Sequence, residues 1–184
     1  MKPTEDLMKD HQAIENMLEI IAKIEENVKI KGHSDLDEID EIVDFLRTFA
    51  DNFHHGKEEK IYFPELIEAG MSSVNSPVAV MLFEHEVGRG HVRDIASSIE
   101  AIRSGDISAT EKMVAAMQGY VNLMISHIQK ENNVLFPLGN KMLPPAKQEV
   151  LTKHIHVMEE NVMGEELQKK YRELLHRLSR KYLA

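Results

Sequence analysis

Two short runs of the chain carry the same ordered set of reactive side chains. His54 to Pro64 and His127 to Pro137 both read H-x-x-K-E-x-x-x-x-F-P, with Lys57 matching Lys130 and Phe63 matching Phe136, at an offset of 73 residues. On a helix, residues four apart share a face, so His54 pairs with Glu58 and His127 with Glu131. Two further histidines keep step: His11 follows Asp10, His85 follows Glu84, and the intervals His11 to His54 and His85 to His127 differ by one residue. The chain therefore reads as two copies of one helical hairpin. Brought to one level, four imidazoles and two carboxylates exceed the needs of one tetrahedral ion and suit two ions bridged by the carboxylates. Imidazole alone suits Zn, Cu, Fe or Ni, and carboxylate adds a preference for harder ions. The expected cofactor is a pair of iron ions, with Mn or Zn as substitutes.

The surrounding sequence must turn these residues inward. Thr4, ahead of Glu5 and Asp6, reads as the N-cap of a first helix with apolar positions Leu7, Ile14, Leu18, Ile21 and Val28, ending near Gly32. Ser34, ahead of Asp35 and Asp37, reads as the cap of a second helix through Ile39, Ile42, Leu46, Phe49 and Phe53, stopped at Phe63 and Pro64. A third helix runs from Val78 to Ile102 and ends at Ser104 and Gly105. A fourth starts near Thr110 and closes at Phe136 and Pro137. His11 and His85 fall in the apolar register of their helices. In the fourth helix Met113, Met117, Tyr120, Met124, His127, Glu131 and Val134 follow a seven-residue repeat, so a histidine and a glutamate sit where core residues belong. A buried carboxylate without a partner protonates, pairs or binds a metal.

Helices of similar length with short connections predict an all-α, antiparallel up-and-down four-helix bundle over residues 1–143. A C-terminal helical extension, 144–184, follows Pro144 and Pro145. It is expected to pack on the bundle or on a partner subunit, with Gly164 a point where it can break. The chain has 184 residues, enough to bury a core in one domain, and no cysteine, which excludes disulfides and thiolate metal sites and points to a reducing cytoplasm. A net charge of −9 without a basic block argues against nucleic acid, and no run approaches the roughly 20 apolar residues needed to cross a bilayer.

Phe49 to Pro64, with its histidine pair and H-x-x-K-E-E followed by F-P, the Glu84–His85 pair with Arg89, and His127 to Pro137 resemble the hemerythrin HHE cation-binding family. The likeness covers at least Leu7 to Met142. It implies a four-helix bundle around a non-haem di-iron centre, in proteins that variously bind oxygen or nitric oxide, sense iron or oxygen, store iron or repair iron centres. The family's ligand positions fall on His11, His54, Glu58, His85, His127 and Glu131, the six that the spacing selects. Animal hemerythrins instead use five histidines, one glutamate and one aspartate.

His55, three residues before Glu58, is the candidate fifth histidine. Its repeat counterpart is Ile128, so its ligation would make the two ions unequal. His33 sits in the turn between the first two helices, roughly 30 Å from either ligand histidine at about 1.5 Å per residue. His91 falls on another helix face, while His154, His156 and His176 lie outside the repeat. Glu15 and Glu59 either hold imidazole N–H groups or lie on solvated faces. The expected function is the binding or sensing of O2 or another small diatomic ligand such as NO by a monomer or homodimer, signalling through the C-terminal helix or a partner protein, rather than catalysis. The alternatives are a di-iron oxidase or peroxidase, an iron-centre repair protein, and an iron storage or detoxification module.

Overall fold

The structure, a computed structural model, describes residues 2–32 and 35–184. Helices account for nearly all of them, and no strand occurs among the described residues. Four long helical runs make the body. The first is α1, Pro3–Lys31. The second joins α2, Leu36–Phe45, to a π-helical stretch, Leu46–His55, a π turn, Glu58–Tyr62, and α3, Phe63–Glu68. The third is α4, Pro77–Arg103. The fourth joins α5, Ala109–Lys130, to a π turn, Glu131–Leu135, and α6, Phe136–Met142. α1 lies against α5, α5 against α4, α4 against α2 and the π stretch that follows it, and that stretch against α1, so the four runs surround one interior. The C-terminal segment forms two helices, α7, Pro145–Met163, and α8, Glu165–Tyr182, broken at Gly164 with φ 29°. Both pack on α1, and α7 also covers the π segments of the second run.

The interior is layered. A large apolar cluster holds Ile14, Leu18, Phe53, Val92, Ile95, Met117 and Met124. A smaller one holds Leu7, Tyr62, Phe63, Met81, Leu135 and Phe136. Each of the four runs passes from one cluster to the other through a buried histidine or a histidine–glutamate pair. The apolar layers on either side exclude water from the polar one.

Three sequence expectations change at the helix ends. α1 starts two residues earlier than a Thr4 cap requires: Pro3 occupies the first helical position, and the Glu5 carboxylate accepts the Lys2 backbone N–H at 3.1 Å. Thr4 is buried inside the first turn and bonds Asn140. Ser34 lies outside the described residues, and Asp35 caps α2 by accepting from the backbone N–H groups of Asp37 and Glu38. Pro64 and Pro137 do not end their helices. In each case a π turn precedes the proline, closed by the Phe63 N–H on the Glu58 carbonyl and the Phe136 N–H on the Glu131 carbonyl, and the chain restarts as α-helix with proline in its first turn. Proline's missing N–H is harmless there.

The π turns also shift the register. The seven-residue pattern puts Val134 in the core, yet Val134 is 52% exposed and Leu135 is fully buried in its place. A π turn accommodates one extra residue, so the inward face moves by one position. Beyond this turn α6 approaches α3 at Gly139, where a Cβ would lie 2.1 Å from the Tyr62 hydroxyl oxygen and 2.9 Å from Leu66 Cδ2. Gly139→Ala should therefore destabilise the protein by about 1–3 kcal/mol through overpacking, measured by denaturant unfolding. An unchanged unfolding midpoint would show that this close approach is not fixed.

Candidate metal centre

The second and fourth runs each deliver a histidine–glutamate pair, and α1 and α4 deliver one histidine each. His11, His54, Glu58, His85, His127 and Glu131 are all at most 1% exposed, and His55 is 3% exposed. Their coordinating atoms form two groups: His11, His54, Glu58 and Glu131 in one, and His55, Glu58, His85 and His127 in the other, with all atoms of a group within 4.8 Å of one another. The seven residues selected from sequence thus converge, His55 included. The π-helical stretch that ends at His55 turns two consecutive histidines towards the interior, where the His55 ring stacks on His85 at 3.8 Å.

The imidazoles meet through Nε2. His11 Nε2 lies 3.0 Å from His54 Nε2, and His85 Nε2 lies 3.1 Å from His127 Nε2. Two nitrogens each roughly 2.1 Å from one ion and at right angles lie about 3 Å apart. The outer nitrogens explain why these atoms are free to ligate. His54 Nδ1 faces Asp10 at 3.1 Å, His85 Nδ1 faces Glu59 at 2.7 Å and His127 Nδ1 faces Glu84 at 2.9 Å. A carboxylate only accepts, so the proton stays on Nδ1 and the Nε2 lone pair points inward. For His85 and His127, whose Nδ1 atoms both face carboxylates, two neutral imidazoles would bring their lone pairs together, and these repel unless a cation lies between them.

The glutamates link the groups. Glu131 presents Oε2 to His11 Nε2 at 3.2 Å and Oε1 to His127 Nε2 at 3.3 Å. Glu58 presents Oε1 to His54 Nε2 at 3.7 Å and Oε2 to His85 Nε2 at 3.5 Å. Each carboxylate divides its two oxygens between the two imidazole groups. All four oxygens, and His55 Nε2, are buried and have no hydrogen-bond partner among the described residues. Such groups are costly to leave unmatched, and cations are the partners this donor set fits.

The electrostatics follow from burial. Desolvation and the neighbouring carboxylate of Glu131 push Glu58 well above the usual range. Burial acts the same way on Glu131, but His127 and His11 outweigh it and hold that carboxyl low. Burial, with nearby imidazoles, depresses His54 and His55 well below their ordinary value, and burial depresses His85. His127 is also desolvated, but Glu131 and Glu84 raise it.

Several supporting residues were not assigned from sequence. Asp10 and Glu84 hold His54 and His127, and each is clamped by a lysine of the repeated motif, Lys57 on Asp10 and Lys130 on Glu84. Lys57 is fully buried and also reaches Glu159 of α7 at 3.2 Å. The signal was present in the repeat, since both acids precede a histidine and both lysines precede a glutamate. Asn132 holds His11 Nδ1 at 2.8 Å, and Asp51 holds His55 Nδ1 at 3.3 Å. Of the two acids with alternative readings, Glu59 holds His85, whereas Glu15 is exposed. His91 packs over Gly119, away from the cluster, and His154, His156 and His176 are exposed. His33 lies outside the described residues.

The depressed histidines set a pH dependence for the metal-free protein. As pH falls through 6.5, the unfolded chain takes up protons at His54, His55 and His85 while the folded chain does not, so folding loses free energy. His127, raised by Glu131 and Glu84, opposes this only above pH 6.5, and Glu58, raised by burial and by Glu131, opposes it with one further group, so the three depressed histidines still outnumber the opposition. The melting temperature of the metal-free protein should therefore drop between about pH 7 and about pH 5, above the range where ordinary carboxylates titrate. A flat profile there would contradict a buried neutral histidine cluster.

Sequence comparisons agree with this geometry. The chain is 25% identical over 133 residues to an uncharacterized protein of Mycobacterium tuberculosis, covering 72% of this chain and 51% of that protein. It is 32% identical over 105 residues to the iron-sulfur cluster repair protein YtfE of Edwardsiella ictaluri, covering 52% of this chain and 43% of that protein. It is 31% identical over 87 residues to the iron-sulfur cluster repair protein YtfE of Dickeya chrysanthemi, covering 46% and 39%. The chain thus spans about half the length, or less, of these curated relatives. No solved structure gives a significant match. The model of the hemerythrin HHE cation binding domain matches residues 2–139, which include every residue of the cluster, and the chain belongs to that family.

Proposed function

We propose that this protein binds two iron ions in the histidine–glutamate cluster and uses them to bind or sense O2 or another small diatomic ligand such as NO. The observation that carries the reading is the division of each glutamate between two imidazole groups. In this reading His11 and His54 would hold one ion and His55, His85 and His127 the other, with Glu58 and Glu131 available to both. Iron is preferred over a softer ion because the donor set mixes imidazole with carboxylate and contains no thiolate, with Mn or Zn able to substitute. The bound iron would supply reversible ligation and redox change. The chain's own residues orient the imidazoles through Asp10, Glu59, Glu84 and Asn132 and keep bulk water out through the apolar layers. With three nitrogens on one side and two on the other, the His11–His54 side has one donor fewer, and an exogenous ligand is expected there.

The same reading makes the four runs an antiparallel up-and-down bundle, supported by their cyclic contacts and short connections. Residues 1–143 form the metal-binding unit, and 144–184 form a helical extension folded over it. No helix among the described residues is long and apolar enough to cross a membrane, and with a cysteine-free composition we assign the protein to the cytoplasm. A second reading, iron supply for cluster repair, is favoured by the likeness to the YtfE proteins.

Anaerobic iron loading followed by elemental analysis should give two ions per chain, and exposure to O2 should produce an absorption change that reverses when the gas is removed. Loss of the iron to an apo iron–sulfur acceptor, with no reversible spectrum, would favour repair. Glu58→Ala and Glu131→Ala should each reduce binding to one ion or fewer. Full occupancy in either variant would remove that glutamate from the shared position.

A further inference from the structure

The sequence repeat extends beyond the cluster, and where it fails next to the imidazoles the additional charged supports lie on the His55–His85 side. Asp10 on His54 and Glu84 on His127 are equivalent, and each carries its lysine. Glu59 and Asn132 are also equivalent by position, each following a shared glutamate, and they do the same job on equivalent histidines: Glu59 holds His85 Nδ1 at 2.7 Å and Asn132 holds His11 Nδ1 at 2.8 Å. One is a carboxylate and the other a neutral amide. His55 has Ile128 as its counterpart, a buried alkyl group. Arg89 donates from Nε to Asp51 at 2.9 Å and reaches Glu59 at 2.8 Å, so one guanidinium fixes the supports of both His55 and His85. Its counterpart on α1, Glu15, is exposed and has no such role.

We infer that Glu59 and Asn132 are positioning residues that make the two metal positions unequal, so that the His55–His85–His127 position fills first and the His11–His54 position exchanges its ion. This rests on the two-ion reading above. The physical basis is the difference between the two supports. A carboxylate can only accept, so it locks the proton on His85 Nδ1 and makes Nε2 a stronger donor. An amide is neutral and can present either its oxygen or its NH2 group, so it holds the His11 tautomer less firmly and adds no charge. The supports of His54 and His127 are alike in kind, each a carboxylate clamped by the lysine of the repeat, and differ in the burial of that lysine. What remains favours one position on three counts: an extra imidazole, a carboxylate in place of an amide, and an arginine that ties two supports together. Changing an outer partner of a metal-ligating histidine alters affinity by roughly 10–100-fold.

The test is titration of the full metal-free chain with Zn2+, a diamagnetic ion, following free metal with a chromophoric indicator and assigning occupancy from 15N histidine NMR. The parent should bind two ions in separate steps, with the His85 and His127 resonances changing in the first. Glu59→Gln should weaken the first step roughly 10–100-fold and leave the second within a few-fold, and Asn132→Asp should tighten the second step and narrow the gap. A merely structural role would move both steps together. Asn132→Asp tests the idea independently if Glu59→Gln folds poorly by circular dichroism. Saturation of the parent at one ion would overturn the two-ion reading and this inference with it. Saturation at two ions with equal affinities, or an Asn132→Asp variant whose second step is unchanged, would overturn this inference alone.

Discussion

Two glutamates and five histidines are buried in the middle of a helical interior with apolar clusters above and below them. Everything else in the structure answers to that constraint. Two carboxylates this close cannot both be charged without a cation, and in the protein alone the conflict shows as opposite shifts, Glu58 up and Glu131 down. The remedy is not a lysine or arginine within the cluster. Lys57 and Arg89 stand one layer out, where they clamp the acids that hold the imidazoles. The centre itself is left lined with lone pairs, which is the arrangement a metal ion requires and an internal salt bridge would spoil.

The helix irregularities serve the same end. A regular α-helix carries one inward stripe, and a histidine–glutamate pair placed on it would leave the following proline and aromatic residues out of register. The π turns at Glu58–Tyr62 and Glu131–Leu135 begin at the shared glutamates and rotate the chain by one residue, bringing Tyr62, Phe63, Leu135 and Phe136 inward to close the floor of the site. Such turns commonly mark functional positions. Here their function is local and visible: they let one helix supply both a polar level and the apolar lid beneath it. The C-terminal helices then cover the side where Lys57 is buried, whereas Lys130 on the other side stays 37% exposed. The pseudo-symmetry of the repeat is therefore broken both inside the site and around it.

Much of this was legible in the sequence because repeated chemistry is more informative than periodicity. The H-x-x-K-E-x-x-x-x-F-P runs and the two histidines in step with them pointed to six residues, which lie together, and His55, left open as a fifth histidine, lies with them. Periodicity alone misplaced Val134 and ended two helices at their prolines, since apolar spacing carries no sign of a π turn until the ladder of backbone hydrogen bonds is seen. Glu59 was recognisable as either a histidine partner or a solvated residue, and only the packing of the second run against α4 decides it. Asn132 and Asp51 carried no such signal, because their roles depend on contacts between helices distant in sequence. The function of the fold, in contrast with its chemistry, rests on which ligand the centre takes up.

The most direct test of the central claim is anomalous diffraction at the iron edge from crystals of the iron-loaded protein. Two peaks per chain are expected, about 3.5–4 Å apart, one within bonding distance of His11 and His54 and the other of His55, His85 and His127, with Glu58 and Glu131 reaching both. A single peak, or iron bound outside this cluster, would contradict it.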